Sequence, residues 1–366
     1  AGYARLYQPS VATQFVGLAY NGQKDLDLDG TSEFISEGFE LQHKGGEETR
    51  DGMMAVLEWQ PNDELSLRAD VYYSRFDTEA FARGFRVKTL QNGTIFNPVV
   101  TDDGAMIGGT VNRSGNDSFL VQTTNDDNTD YDEVLSAGLN LNWYKGPWTL
   151  SADLSTSEAE SDFVNGVAWG LLFEDATADS PVVEGNVSVA YQLNNLDLPD
   201  LGFNQDYTDI NKLMLAKWGT YPYQNTDGVD AIRLGVNFDF DDNPFLVSIE
   251  AGVRYSDRHY TNDRSVFEFG HDFGNYIGGQ EPLQLTEDMV RVVNFDDEFG
   301  NFPSYLAINM DRALAAWLPE GEGTPIKDWD NSWSVLQSGT VDETILAFHL
   351  MANLDFELMG LPVTGN

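Results

Sequence analysis

The chain has 366 residues, 41% of them hydrophobic, with 60 acidic against 20 basic side chains, a formal net charge of −40 and no cysteine. So negative a surface excludes nucleic acid as a partner, because phosphate binding needs basic side chains. The lack of cysteine removes disulfides and thiolate metal sites, and no apolar run approaches the ~18 residues of a transmembrane helix.

From the N-terminus, the first 45 residues carry no clear period. Asp25-Leu-Asp27-Leu-Asp29-Gly30 opens like a D-x-D-x-D-G calcium loop, but its twelfth place is Ser36, with Glu37 one too late. Leu26 and Leu28 alternate there as strand residues would, so no metal site is expected. At Leu65 a period of two begins. Leu65, Leu67, Ala69, Val71 and Tyr73 take one face and Ser66, Arg68, Asp70, Tyr72 and Ser74 the other, which specifies a β-strand with one apolar side. The pattern returns over 135–143, 148–154, 232–240, 245–255 and 346–357. Most of these runs have about the ~9–11 residues with which a tilted strand crosses a bilayer.

The connections follow a rule of their own. Gln60 to Glu64, Lys145 to Pro147 and Asp241 to Pro244 read as tight turns rich in Pro, Asn, Asp and Gly. The stretches Asp77 to Tyr131, Phe163 to Asp230 and Asn262 to Asp342 far exceed the ~2–5 residues of a hairpin loop. Trp59, Trp143, Tyr144, Trp148, Phe240 and Phe245 crowd the short turns, where an interfacial girdle would sit. Together these features predict an all-β, antiparallel transmembrane β-barrel with short periplasmic turns and long extracellular loops. Leu139, Leu150, Val236, Ile249 and Leu350 are expected to face lipid, and Asn140, Ser151, Asn237, Glu250 and His349 the lumen. The alternative is a soluble antiparallel sandwich, which leaves the alternating loop lengths unexplained.

Much of the acid falls in the long stretches, as Asp126, Asp127, Asp130 and Asp132 and as Glu281, Glu287, Asp288, Asp296, Asp297 and Glu298. It suits solubility and divalent-cation bridging at a lipopolysaccharide surface, or a saline habitat. It also disfavours anionic ligands and admits neutral or cationic ones. Tyr207 to Gly219 reads as a short helix with Thr208 as N-cap, and Ser304 to Trp317 as another stopped by Pro319. Trp169, Trp218, Trp317, Trp329 and Trp333 lie in the long stretches. Aromatic faces beside carboxylates and amides suit sugar rings, so these five are the candidate substrate-binding residues, with packing between loops as the plainer role. His43, His259, His271 and His349 show no metal-ligand spacing. No carboxylate pair, Ser-His-Asp set or phosphate-cradling Gly loop stands out, so neither catalysis nor a cofactor is expected.

Three ordered motifs carry a family resemblance. Arg50 to Glu79, Glu250-Ala-Gly-Val-Arg-Tyr255 and Asn353 to Asn366 resemble the barrel of TonB-dependent receptors, in the branch common in Xanthomonas-, Caulobacter- and Alteromonas-like bacteria. These are strand and turn signatures, so no functional residue transfers. The resemblance implies a barrel of about 22 strands around a plug, with an energy-coupling box that reaches the inner membrane. Neither plug nor box is visible here, and in the family the last motif runs on into a further strand. Residues 1–366 are therefore expected to be a partial barrel domain, without the plug and incomplete at both ends. The implied function is active uptake across the outer membrane of a Gram-negative bacterium, energised through TonB, of a scarce nutrient such as a neutral oligosaccharide. A passive sugar-selective porin and a secreted β-rich carbohydrate-active enzyme are the alternatives.

Overall fold

A computed structural model describes residues 1–113, 119–179, 181–195, 197–241, 243–272, 275–277, 281–295, 302–318 and 323–366. Nine strands form one antiparallel meander: β1 (Gly2–Gly17), β2 (Phe39–Asn62), β3 (Leu65–Lys88), β4 (Leu120–Lys145), β5 (Trp148–Leu172), β6 (Tyr223–Asp239), β7 (Leu246–Arg264), β8 (Gly339–Leu358) and β9 (Leu361–Gly365). Each lies beside its sequence neighbours. Short turns and long excursions alternate along the chain, as expected. The sheet is open, since among the described residues β1 pairs only with β2 and β9 only with β8.

Register explains the two faces. β3 pairs with β4 from Leu65↔Trp143 to Lys88↔Leu120 without a bulge, so parity along each strand assigns a face. One row reads Leu57, Ala69, Leu139, Leu154, Ile232, Tyr255 and Leu346 across seven strands. Two residues nearer the short turns, the next reads Trp59, Leu67, Leu141, Ala152, Leu234, Val253 and Phe348. Most of these side chains stand in the open, Phe348 at 74% exposed, while Leu67, Ala69, Ala152 and Val253 are half-buried. The opposite face is tied by polar bonds: Asn140 Nδ2 donates to Asp153 at 2.5 Å, Ser136 Oγ meets Ser157 Oγ at 2.8 Å, and Asn353 Nδ2 donates to Ser248 at 2.8 Å. At the short-turn end Trp148 packs on Phe238 at 4.6 Å and Phe238 on Phe240 at 4.8 Å. A further tight turn joins β8 to β9, where Met359 and Gly360 both take positive φ, 54° and 77°, as a two-residue hairpin of the primed type requires.

Several expectations need correction. The strands run well past their apolar segments, so the long connections shrink to 89–119, 173–222 and 265–338. Asp126, Asp127, Asp130 and Asp132 therefore lie on β4 and not in a loop, because unbroken pairing with β3 and β5 outweighs the polar composition. Gly2–Gly17, where no period was legible, is a full strand held by β2. Tyr207 to Gly219 is no helix. Asp206 and Asp209 accept from Thr208 N and Asn211 N at 2.8 and 2.9 Å in successive turns, and Leu213–Thr220 then extends as a strand beside β5. Its run Leu-Met-Leu-Ala is buried throughout, a continuous apolar run that suits a doubly covered strand. The second helix shortens to α1 (Met310–Trp317), with Asn309 accepting from Arg312 N at 3.1 Å as its cap. Pro319 and Asp296 to Glu298 lie outside the described residues.

The long connections gather into a module on the distal arms of β2–β5. It contains a four-stranded sheet in the order Asp197–Phe203, Ser188–Asn194, Met106–Asn112, Thr94–Val100. The core centres on Phe85, which meets Tyr207 and Tyr305 at 5.0 Å each. Tyr305–Ile308 is pinned to β4 where Ile308 N donates to Asn125 Oδ1 at 2.8 Å. Leu41, Phe85 and Val121 in this core share parity with Leu57, Ala69 and Leu139. The module thus covers the same face that carries the exposed apolar rows.

A Cβ on Gly84 would lie 1.8 Å from the Leu41 carbonyl oxygen, whereas one on Gly202 would find only ordinary contact at 3.7 Å. Gly84→Ala is expected to destabilise the chain by about 1–3 kcal/mol, and Gly202→Ala by less than about 0.5 kcal/mol. Denaturant unfolding of both variants checks this.

Candidate functional site

Between the module and the arms of β1–β5 lies a cavity of 830 Å³. Its wall is built from neighbouring register positions. Glu47 on β2 stands directly opposite Glu79 on β3, and Phe81 directly opposite Asp127 on β4. α1 closes one side with Asp311, and Leu213–Thr220 brings in Trp218. These residues lie on the outer parity of the strands. Along β3 that parity turns from Tyr73 to Arg75, Asp77 and Glu79, so the cavity sits just beyond the place where the apolar band ends.

The electrostatics are one-sided. Glu47, Glu79, Asp127 and Asp311 line the cavity and no Lys, Arg or His does. Arg83 pairs with Asp127 from beside it, and the Tyr7 hydroxyl donates to Glu47 Oε2 at 2.5 Å. Asp126, nine residues past Leu135 and about 30 Å beyond the apolar band at ~3.3 Å per residue, points to the other face. Burial, then the neighbouring Asp127 charge, push its carboxyl up to about 6, against partial relief from Arg83. Its Oδ1 has no hydrogen-bond partner among the described residues.

The five tryptophans have different surroundings. Trp169 closes the end of β5 under the Lys217 ammonium, 5.4 Å from its ring centre. Trp317 ends α1, where its Nε1 donates to the Glu281 carbonyl at 2.7 Å and its ring meets Phe269 at 4.6 Å. Both are buried and serve packing. Trp329 is 61% exposed beside Lys327, and the side chain of Trp333 lies outside the described residues. Of the four whose side chains are described, Trp218 alone lines the cavity. It is 8% exposed, and its Nε1 has no hydrogen-bond partner among the described residues. Sequence reasoning missed Glu47, Glu79 and Asp311; the signal was the switch from apolar to acidic side chains at constant parity.

Elsewhere, Glu268 joins Lys217 at 3.1 Å and the Tyr221 hydroxyl at 2.8 Å. Burial pushes its carboxyl up, but the bonds from Tyr221 and Lys217 outweigh it and hold the group below the ordinary range. Asp25, Asp27 and Asp29 bring carboxylate oxygens within 4.8 Å of one another, the one such group among the described residues that could hold a cation. The segment is a bend and not a strand, with Leu28 at φ 64° and Gly30 at φ 94°. His43, His259 and His349 stand apart, beside Thr13, Asp342 and Glu250 respectively.

No protein-family model matches the chain, and no solved structure matches it. A stretch of 133 residues is 29% identical to alanine–tRNA ligase of Campylobacter jejuni subsp. doylei and 28% to that of C. jejuni subsp. jejuni. It spans 36% of this chain but only 15% of the length of each ligase. So short a likeness assigns no family.

The raised Asp126 carboxyl has a consequence for stability. A folded-state pKa near 6 against an ordinary 3.8 means that the folded chain binds the proton more tightly. Stability therefore falls as pH rises through this window. Asp126→Asn is expected to stabilise the chain by about 1–2 kcal/mol near neutral pH, with the gain fading as pH falls through the window from about 6 to 3.8 and absent below it. Unfolding of both proteins across that range provides the measurement.

Proposed function

We propose that this chain is part of the barrel of an outer-membrane transport receptor in a Gram-negative cell, one that takes up a scarce nutrient with energy relayed through TonB. The observation that carries the reading is the set of apolar rows running unbroken across seven strands, opposite a face closed by polar bonds. In water such a surface is a liability; in a bilayer it is the required solvent match, with lipid outside and a wet lumen within. The band from Leu65 to Tyr73 on β3 covers nine residues, within the ~9–11 that a tilted strand needs. The aromatic cluster at the short turns and the long connections at the other end support the same orientation.

In this reading the open edges of β1 and β9 join further strands of a parent barrel, because an unpaired strand edge cannot meet hydrocarbon. The long connections capture solute outside the cell, and a plug borne by the parent gates the lumen. Outer-membrane lipid and lipopolysaccharide surround the barrel, and the strongly acidic exterior favours an uncharged or cationic nutrient, oligosaccharides included, over an anionic chelate.

One observation favours a second reading. The loop module covers the face that bears the apolar rows, as the second layer of a soluble sandwich would, which fits a secreted β-rich carbohydrate-active protein. That reading leaves the lower rows of seven strands uncovered.

Single cysteines separate the two. With the chain in lipid bilayers, cysteines at Leu139, Leu150, Val236 and Leu350 are expected to resist a water-soluble maleimide, while those at Asn140, Ser151, Asn237 and His349 react. Arg at Leu139 should cost about 2–4 kcal/mol. Efficient labelling of the first group with protection of the second would overturn the membrane assignment.

A further inference from the structure

We infer that the groove between Trp329 and the distal arms of β6–β8 binds an uncharged sugar ring. The inference rests on the receptor reading only in making that sugar the cargo.

The floor of the groove is a row of hydroxyls. Thr226 on β6 stands directly opposite Thr261 on β7, and Thr261 opposite Thr340 on β8. All three line a groove of 370 Å³, and the hydroxyls of Thr226 and Thr261 share a hydrogen bond. In the same register the row lies six positions beyond Ile232, Tyr255 and Leu346, about 20 Å past the apolar band at ~3.3 Å per residue. A hydroxyl both donates and accepts, so this floor can pair with hydroxyls of either orientation.

The wall is an open indole on a pinned turn. Trp329 lines the groove and is 61% exposed, although tryptophan is on average well buried. Its turn is held on both sides. Ile326 and Val266 exchange backbone bonds at 2.9 and 3.1 Å, and Asp328 N donates to the buried Ser334 Oγ at 3.1 Å. Asn331 N then returns to the Asp328 carbonyl at 3.1 Å. A ring fixed in the open forgoes the burial that an indole gains, but it is preorganised for a flat apolar partner. An interfacial anchor is the other common use of an exposed tryptophan. The ~20 Å between the threonine row and the band sets this groove too far from the bilayer boundary for that.

Charge decides the class of ligand. The charged side chains lining the groove are Asp263 and Lys327, joined at 2.6 Å, with the ammonium 5.3 Å from the Trp329 ring centre. In a chain with 60 acidic and 20 basic residues, this lining carries no net charge. An anion would meet the negative field of the whole surface, and a cation would find Asp263 already taken. A purely apolar ligand would cover the hydroxyls without pairing them. An uncharged sugar ring offers its C–H face to the indole and its hydroxyls to the threonines. A volume of 370 Å³ lies at the lower end of the ~300–1,000 Å³ of small-molecule sites and admits about one or two rings.

Calorimetric titration of the full chain in lipid bilayers with maltose, cellobiose, lactose, xylobiose and digalacturonate tests this. At least one neutral disaccharide is expected to bind, at least about tenfold more tightly than the uronate. Trp329→Ala should weaken that binding at least about tenfold, whereas Trp329→Tyr keeps the aromatic platform and should cost less than about threefold. Thr340→Val, which removes one hydroxyl of the floor, should cost about three- to tenfold. Both side chains are exposed, so the variants are expected to fold, and circular dichroism verifies it. Leu336→Ala, 81% exposed and outside the groove, is the control and should leave the affinity unchanged. Binding of none of the neutral sugars, undiminished binding by Trp329→Ala, or a preference for the uronate would overturn the inference. Strong quenching of Trp329 fluorescence by bromine-labelled lipid would do the same, because it would make the indole an anchor. If a neutral sugar binds but the cysteine pattern contradicts the barrel, the site stands and the cargo role falls. If the cysteine pattern holds and no sugar binds, only the site is lost.

Discussion

The whole arrangement depends on the register of β3 with its neighbours, unbroken against β4 and continuous against β2 from Phe39 to Trp59. A one-residue slip in a strand exchanges its two faces, so the apolar rows exist only because Leu57, Ala69, Leu139 and Leu154 stay in line. The same register carries on into the distal arms, where it sets Glu47 against Glu79 and Phe81 against Asp127. Band and cavity are thus two stretches of one ladder. What differs between them is the side chain placed at each successive outer position.

That change in side chains has an electrostatic logic. From Leu65 to Tyr73 the outer positions of β3 are apolar; from Arg75 to Glu79 they are charged. Carboxylates are expensive in hydrocarbon and well solvated at a polar boundary, so the switch fixes how far the apolar band extends. Past it, acid accumulates without matching base, and a chain with 60 acidic and 20 basic residues has few cations to place there. Arg83 and Lys217 are each committed to a carboxylate, Asp127 and Glu268.

The meander was legible because period two is a local signal and tight turns have a narrow choice of residues. The faces of β3–β8 could be read directly from 65–73, 135–143 and 346–357. Gly2–Gly17 could not, because its side chains are mixed on both faces and its shape comes from pairing with β2. Leu213–Thr220 misled for the opposite reason: an unbroken apolar run reads equally as buried helix or buried strand, and contact with β5 decides. The site was only partly visible. Trp218 stood among the sequence candidates, but Trp169 and Trp317 share its composition and are spent on packing. The Glu47–Glu79 opposition depends on a pairing between residues 32 positions apart, which no local pattern encodes.

The central claim is that the outer rows meet lipid, and the tryptophans report on it directly. Trp59, Trp143 and Trp148 lie at the short-turn end of the apolar face, whereas Trp169, Trp218 and Trp317 are buried in the distal module. Single-tryptophan versions of the chain in bilayers of bromine-labelled lipid separate these groups by fluorescence quenching. The account predicts strong quenching of Trp59, Trp143 and Trp148 and none of Trp169, Trp218 or Trp317. Equal quenching of the two groups, or none in the first, would contradict it.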